Sequence, residues 1–129
     1  MIRFVIALLL ATPAAAQDVV PPEDVLDMVE GRTLQYAAGG QDVGREQFLS
    51  RSQVVLRDAF GQCLHGQVTV RGSALCFVYE GDPQQFCWST FSFPDGSLKM
   101  RITSLGNATV LDLAGIDDKP VTCDPVGSV

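Results

Sequence analysis

Residues 63–92 read CLHGQVTVRGSALCFVYEGDPQQFCWSTFS, and the fold turns on how this stretch pairs with itself. A hairpin fixes register, and register decides which side chains share a face. With Gly72-Ser73 as a two-residue turn, Val70 lies opposite Leu75, Val68 opposite Phe77 and Gly66 opposite Tyr79. A second turn centred on Gly81-Asp82 sets Phe77 opposite Phe86 and Leu75 opposite Trp88. Both hairpins therefore send their large apolar residues to one side. The second register also puts Cys76 directly opposite Cys87, where cross-strand α-carbons at a non-hydrogen-bonded position lie about 4.5–5.5 Å apart, within disulfide range.

The same reading extends downstream. Pro94-Asp95-Gly96 has the form of a three-residue loop with glycine in the left-handed position, which pairs Trp88 with Ile102, Thr90 with Met100 and Ser92 with Leu98. A turn at Leu105-Gly106 pairs Ile102 with Thr109, Met100 with Leu111 and Leu98 with Leu113. Four separately placed turns thus yield one apolar face: Val68, Val70, Leu75, Phe77, Tyr79, Phe86, Trp88, Leu98, Met100, Ile102, Leu111 and Leu113. Of these, Phe77, Tyr79, Phe86, Trp88 and Met100 form the core or ligand-facing set. The opposite face reads His65, Gln67, Thr69, Glu80, Gln85, Ser89, Lys99, Arg101 and Asp112, broken by Val78 and Phe91.

Upstream, the segments 32–37, 45–49 and 54–58 join 63–71, 74–80, 84–93, 98–103 and 109–113 as eight short strands. A short helix is expected over 22–30: Pro22 suits a first turn, Glu23 and Asp24 sit where the helix dipole favours acids, and Gly31 stops it. The acids between Asp18 and Glu30 read as a solvated helix face. So short a helix cannot cover the sheet, so the sheet must curl onto itself. The expected architecture is all-β, a small antiparallel up-and-down meander of about eight strands in a lipocalin-like barrel, with a two-sheet sandwich as the alternative. Its bulky inward residues imply a filled interior. Gly66 opposite Tyr79 suits a bend where an aromatic ring covers a glycine.

The N-terminus carries the parts of a removable export signal: Arg3, the apolar run Phe4 to Ala11, and the small-residue exit Pro13-Ala14-Ala15-Ala16 before Gln17. Cleavage is expected after Ala16. The run falls far short of the roughly 20 residues that span a bilayer, and no later segment is long and apolar enough for membrane insertion. No cysteine begins the mature chain to accept a lipid. The expected location is the periplasm of a Gram-negative bacterium, or the secreted fraction. Along the chain the expected order is signal 1–16, flexible arm 17–21, one barrel domain 22–115, and tail 116–129. Arg3 leaves with the signal, so eight basic side chains face fifteen acidic ones in the mature chain. That balance argues against nucleic acid and anionic membrane as partners.

Four cysteines in an exported chain read as a disulfide framework. With Cys76 and Cys87 paired, elimination joins Cys63 to Cys123 and staples the tail to the middle of the sheet across a loop of roughly 60 residues. A structural zinc site would show paired C-x2-4-C ligands, which these spacings lack. His65 is the single histidine. A thiol nucleophile at Cys63 with His65 as base would make a hydrolase, but the disulfide employs that cysteine better, and His65 reads as an exposed partner of Glu80. Asp117 and Asp118 read as a solvated turn, and no calcium-loop spacing surrounds them. Asn107-Ala108-Thr109 is a formal glycosylation sequon. Gly39-Gly40 carries no phosphate-binding pattern. No catalytic, cofactor or metal set emerges.

Gly31-Arg32-Thr33 leading to Tyr36, then Gly66-x-Val68, Gly72, Leu75-Cys76-Phe77-x-Tyr79 and Cys87-Trp88, resembles a group of small uncharacterised periplasmic proteins of Gram-negative bacteria, over residues 31–92. The resemblance implies a signal peptide and a calycin or lipocalin-like antiparallel barrel, and carries no activity to transfer. In architecture the chain also looks like the calycin barrels at large, including secreted inhibitors of bacterial metalloproteases whose N-terminal arm enters the protease cleft. The functional expectation is a monomeric, non-enzymatic binding module for a protein or a small apolar ligand, the filled interior favouring a protein. Protease inhibition through residues 17–21 is the alternative.

Overall fold

The computed structural model describes residues 17–123. The export segment with its cleavage site, and residues 124–129 of the tail, lie outside the described residues. The elements are β1 Asp18–Val20, α1 Pro22–Val29, β2 Thr33–Ala38, β3 Gln41–Phe48, β4 Gln53–Asp58, β5 Cys63–Arg71, β6 Ala74–Tyr79, β7 Gln85–Ser92, β8 Leu98–Ile102 and β9 Val110–Asp117.

Strands β2 to β9 run up and down in chain order, each antiparallel to the next. Pairing of β2 with β9 closes them into an eight-stranded barrel. Strand β1 adds to β7 where β6 ends: Ala74 faces Ser89, and the next β7 residue, Thr90, faces Val20. The hairpin registers are those read from the turns. Val68 faces Phe77, Gly66 faces Tyr79, Leu75 faces Trp88, Phe77 faces Phe86, and Thr90 faces Met100. Met100 facing Leu111 and Lys99 facing Asp112 continue the series.

Inside, Leu34, Phe48, Val54, Val68, Leu75, Phe77 and Met100 are buried together. The helix supplies Val25, Leu26 and Val29 to the same cluster, so it plugs one end of the barrel instead of lying on its side. Arg51, in the β3–β4 connection, holds it there through Glu23 at 2.9 Å, Asp27 at 2.8 Å and Glu30 at 3.2 Å. Three acids of this helix face are thus gathered by one arginine of the same chain while remaining exposed. Phe91, an apolar residue on the outer face, lies beneath the Arg101 guanidinium, 5.3 Å from the ring centre.

Four expectations about the course of the strands change. Residues 18–20 are a strand of the sheet, not a free arm. Val70 leaves the core and is 39% exposed, because β4 ends opposite Gln67 and nothing covers β5 beyond Val68. Strand β3 begins at Gln41 instead of 45, and β9 runs to Asp117, past both 113 and the expected domain boundary at 115. The last two share a cause. Tyr36 pairs with Gly44 while Ala37 pairs with Asp42, leaving Val43 unpaired; Gln35 pairs with Gly115 while Tyr36 pairs with Leu113, leaving Ala114 unpaired. Each bulge breaks the alternation that marks a strand, and bulges bend a sheet toward closure.

Both disulfides, Cys76–Cys87 and Cys63–Cys123, join as paired from the sequence. The tail reaches Cys63 across the outside of the barrel. Thr33 Oγ1 donates to the Lys119 carbonyl at 2.7 Å, Val121 N–H donates to Gln47 Oε1 at 3.1 Å, and Arg57 Nη1 donates to the Thr122 carbonyl at 2.7 Å. Strands β2, β3 and β4 are each gripped in turn before the covalent tie on β5. Asp117 and Asp118 are likewise engaged, with Arg45 at 2.8 and 2.9 Å and with Arg32 at 2.9 Å, not left as a solvated turn.

The bend at Gly66 has no room for a side chain. A Cβ there would sit 2.6 Å from Tyr79 Cδ1 and 2.8 Å from the Val78 carbonyl oxygen. Overpacking of this kind costs about 1–3 kcal/mol. We expect Gly66→Ala to lower the urea unfolding free energy by that amount. Gly106→Ala, whose Cβ meets nothing within 4 Å, should shift it by less than about 0.5 kcal/mol.

Candidate functional site

The barrel is solid beneath the helix and hollow at its other end. An inner chamber of about 60 Å³ is lined by Tyr36, Glu46, Phe77, Tyr79, Trp88, Met100 and Leu111. A mouth of about 570 Å³ is walled by Leu56, Leu64, Tyr79, Phe86 and Trp88, with Gln62, Glu80, Gly81 and Asp82 at its rim. Tyr79 and Trp88 line both. The expectation of a filled interior therefore holds beneath the helix and fails at the mouth. The reason is the helix, which fills one end with three aliphatic side chains and has no counterpart at the other.

All five residues expected to be core or ligand-facing line this space: Phe77 and Met100 the inner chamber, Phe86 the mouth, Tyr79 and Trp88 both. Strand parity accounts for this. Phe77 and Tyr79 alternate inward on β6, Phe86 and Trp88 on β7, and Met100 faces them from β8 through its pairing with Thr90. The rings form a continuous series, with Phe77 parallel to Tyr79 at 6.3 Å between centres and Phe86 tilted against Tyr79 at 6.4 Å.

Glu46 stands outside the set read from the sequence, although its parity with Phe48 on one strand already aims both side chains inward. It is 1% exposed. Tyr36 donates its hydroxyl to Glu46 Oε1 at 2.6 Å, and Tyr79 donates to Oε2 at 2.6 Å. The three residues come from β3, β2 and β6. Burial pushes the Glu46 carboxyl up to about 7, against the two phenol hydrogen bonds, which favour the ionised form. Burial and the neighbouring carboxylate hold both phenols well above their ordinary range, so they act as donors across the physiological window. The arrangement offers one carboxyl, clamped in orientation, whose charge changes near neutrality.

The other sequence candidates lie elsewhere. Cys63 is in a disulfide, and no free cysteine occurs among the described residues, so the Cys63–His65 pair has no thiol. His65 and Glu80 meet through the backbone, Glu80 N–H donating to the His65 carbonyl at 2.8 Å; among the described residues no ion pair joins their side chains. Both border a depression of about 380 Å³ beside Gly66, whose wall also carries Leu49, Gln53, Gln67 and Val78. Among the described residues no three His, Cys, Asp or Glu side chains cluster as metal ligands. No protein family model, curated protein or solved structure matches the chain.

The folded protein keeps the Glu46 proton up to about pH 7, whereas an unfolded chain releases it near 4.5. A carboxyl held this way contributes stability that is fully present below about pH 4.5 and is lost as pH rises through 7. Between pH 5 and 8 the change is about 2–3 kcal/mol. We expect urea unfolding of the wild type to weaken by about that much over this interval relative to Glu46→Gln. Parallel pH profiles for the two proteins would show that Glu46 does not hold the proton.

Proposed function

We propose that this protein is an exported, non-enzymatic binding module of the periplasm, taking a small apolar ligand in the mouth of a lipocalin-like barrel. The observation that carries the reading is the mouth itself. Ligand sites are concave, about 300–1,000 Å³, mostly apolar, with a few polar groups at fixed positions. A mouth of about 570 Å³ between Leu56, Leu64, Phe86 and Trp88, sharing Tyr79 and Trp88 as walls with the inner chamber that holds Glu46, has that character. The export-type N-terminus and two disulfides support an oxidising compartment.

A small ligand is favoured over a protein partner because the premise for the protein, a filled interior, fails at this end. The inhibitor reading loses its moving part, since Asp18–Val20 would have to give up its pairing with β7 before entering a cleft. Phe60, in the β4–β5 connection next to Gln62 of the rim, is 95% exposed and suits an apolar contact at the entrance.

Trp88 is the single tryptophan and lines the mouth, which makes it a reporter without labelling. Titration with the uncharged dye N-phenyl-1-naphthylamine should quench Trp88 saturably, with dye emission rising in step. Leu64→Arg, which places a charge in the wall, should weaken binding by about tenfold or more, ~1.4 kcal/mol or greater, with the circular dichroism of the barrel unchanged. Absence of saturable quenching, or equal affinity in the variant, would remove the mouth as the site.

A further inference from the structure

Resting on that reading of the mouth, we propose that the ligand is a cation: a primary alkylammonium whose head enters the inner chamber against Glu46 while its apolar body fills the mouth. The chemistry of the chamber selects this class. Each carboxylate oxygen of Glu46 accepts one tyrosine hydroxyl, and each retains a second lone pair. A buried carboxylate without a cation is costly, because two neutral donors replace only part of its lost hydration. Among the described residues the ion pairs of Arg32, Arg45, Arg51 and Lys99 all go to other acids. Among the described residues no lysine, arginine or histidine lines either chamber. The protein thus supplies the anion and leaves the cation to be brought in.

Three further features agree. The walls beside Glu46 are the rings of Tyr36, Phe77, Tyr79 and Trp88, and aromatic faces attract ammonium groups when water is excluded. The inner volume of about 60 Å³ equals the share of about two water molecules, enough for an ammonium and its first methylene. The entrance bears Glu80 and Asp82, and the whole chain is acidic at a formal charge of −6, so the field draws in cations and turns away carboxylates.

The groups packed against Glu46 bound its pH response. Tyr36 of β2 and Tyr79 of β6 face it, and Leu34 and Leu56 pair beside it from β2 and β4. Phe77, Trp88, Met100 and Leu111 complete the chamber from β6, β7, β8 and β9 and do not titrate. Below the Glu46 midpoint an entering ammonium must displace a proton, and its affinity falls by about tenfold per pH unit.

The test compares n-octylamine, n-octanol and octanoate on the mature, oxidised chain, by calorimetry and Trp88 fluorescence, at pH 8 and pH 5.5. The expected result at pH 8 is amine binding about tenfold or more tighter than alcohol, with octanoate weakest. The amine's advantage should shrink at pH 5.5 and vanish in Glu46→Gln, the alcohol being unaffected by either change. Equal affinity for amine and alcohol at pH 8, or an amine preference that survives Glu46→Gln, would overturn the cation while leaving the mouth as an apolar site. Failure of all three to bind would overturn the mouth reading and this inference together. The pH comparison needs no variant, so an amine preference identical at both pH values overturns the proposal even if Glu46→Gln does not fold.

Discussion

Closure of the sheet is the constraint from which the rest of the molecule follows. Strands that are apolar on one face must bury it, and a helix of eight residues covers too little for a flat sheet of this width. Pairing of β2 with β9 solves the problem by turning the apolar face into an interior, and it removes the edges at the same time. The helix is then released from covering a face and serves as a plug for one end. What is left open at the other end is a consequence of having only one plug.

That asymmetry explains how the interior tolerates a carboxyl group. At the plugged end the core is aliphatic and aromatic, with Val25, Leu26 and Val29 of the helix in one buried cluster with Phe48 and Leu75. Glu46 lies where this packing gives way to the chamber, and Tyr36 and Tyr79 reach it from strands on either side. Hydrogen bonds to a buried charge are worth about 1.5–3 kcal/mol each, less than the cost of removing a carboxylate from water, so the group stays poised between its two protonation states. A glutamate kept at such a position, with its orientation clamped by two phenols, is a poor choice for stability and a good one for recognition.

The outside of the barrel is organised to hold closure in place. From Asp117 the chain turns back across β2, β3 and β4, making a hydrogen bond with each, and is tied covalently to β5 at Cys123. Cys76–Cys87 joins the neighbouring hairpin. These ties span half the circumference, and the loop of 60 residues closed by Cys63–Cys123 gives the unfolded chain a constraint worth about 4 kcal/mol in the chain-entropy account. In a small domain with a hollow end, such ties offset core that the mouth does not provide.

The amino-acid sequence alone determined the hairpin registers from Gly66 to Leu111, the inward set of aromatics and the Cys76–Cys87 pair, because each follows from alternation of side chains around short turns, which is local; Cys63–Cys123 then follows by elimination. Where alternation is interrupted, at Val43 and Ala114, the strand ends were misplaced, since a bulge is visible only against the partner strand it bends toward. The N-terminal segment 18–20 found its partner in β7, seventy residues away, which no local period announces. Glu46 is not legible as a site residue in the sequence, because a charged residue at an inward position reads as a break in the apolar pattern. Tertiary structure alone decided that it meets Tyr79: Tyr36 reaches Glu46 across the hairpin of the neighbouring strands β2 and β3, but β6 lies three strands away, and only a curled sheet directs its side chain to the same point. The plug, the chamber and the clamped carboxyl are therefore properties of closure, and no stretch of the chain contains them by itself.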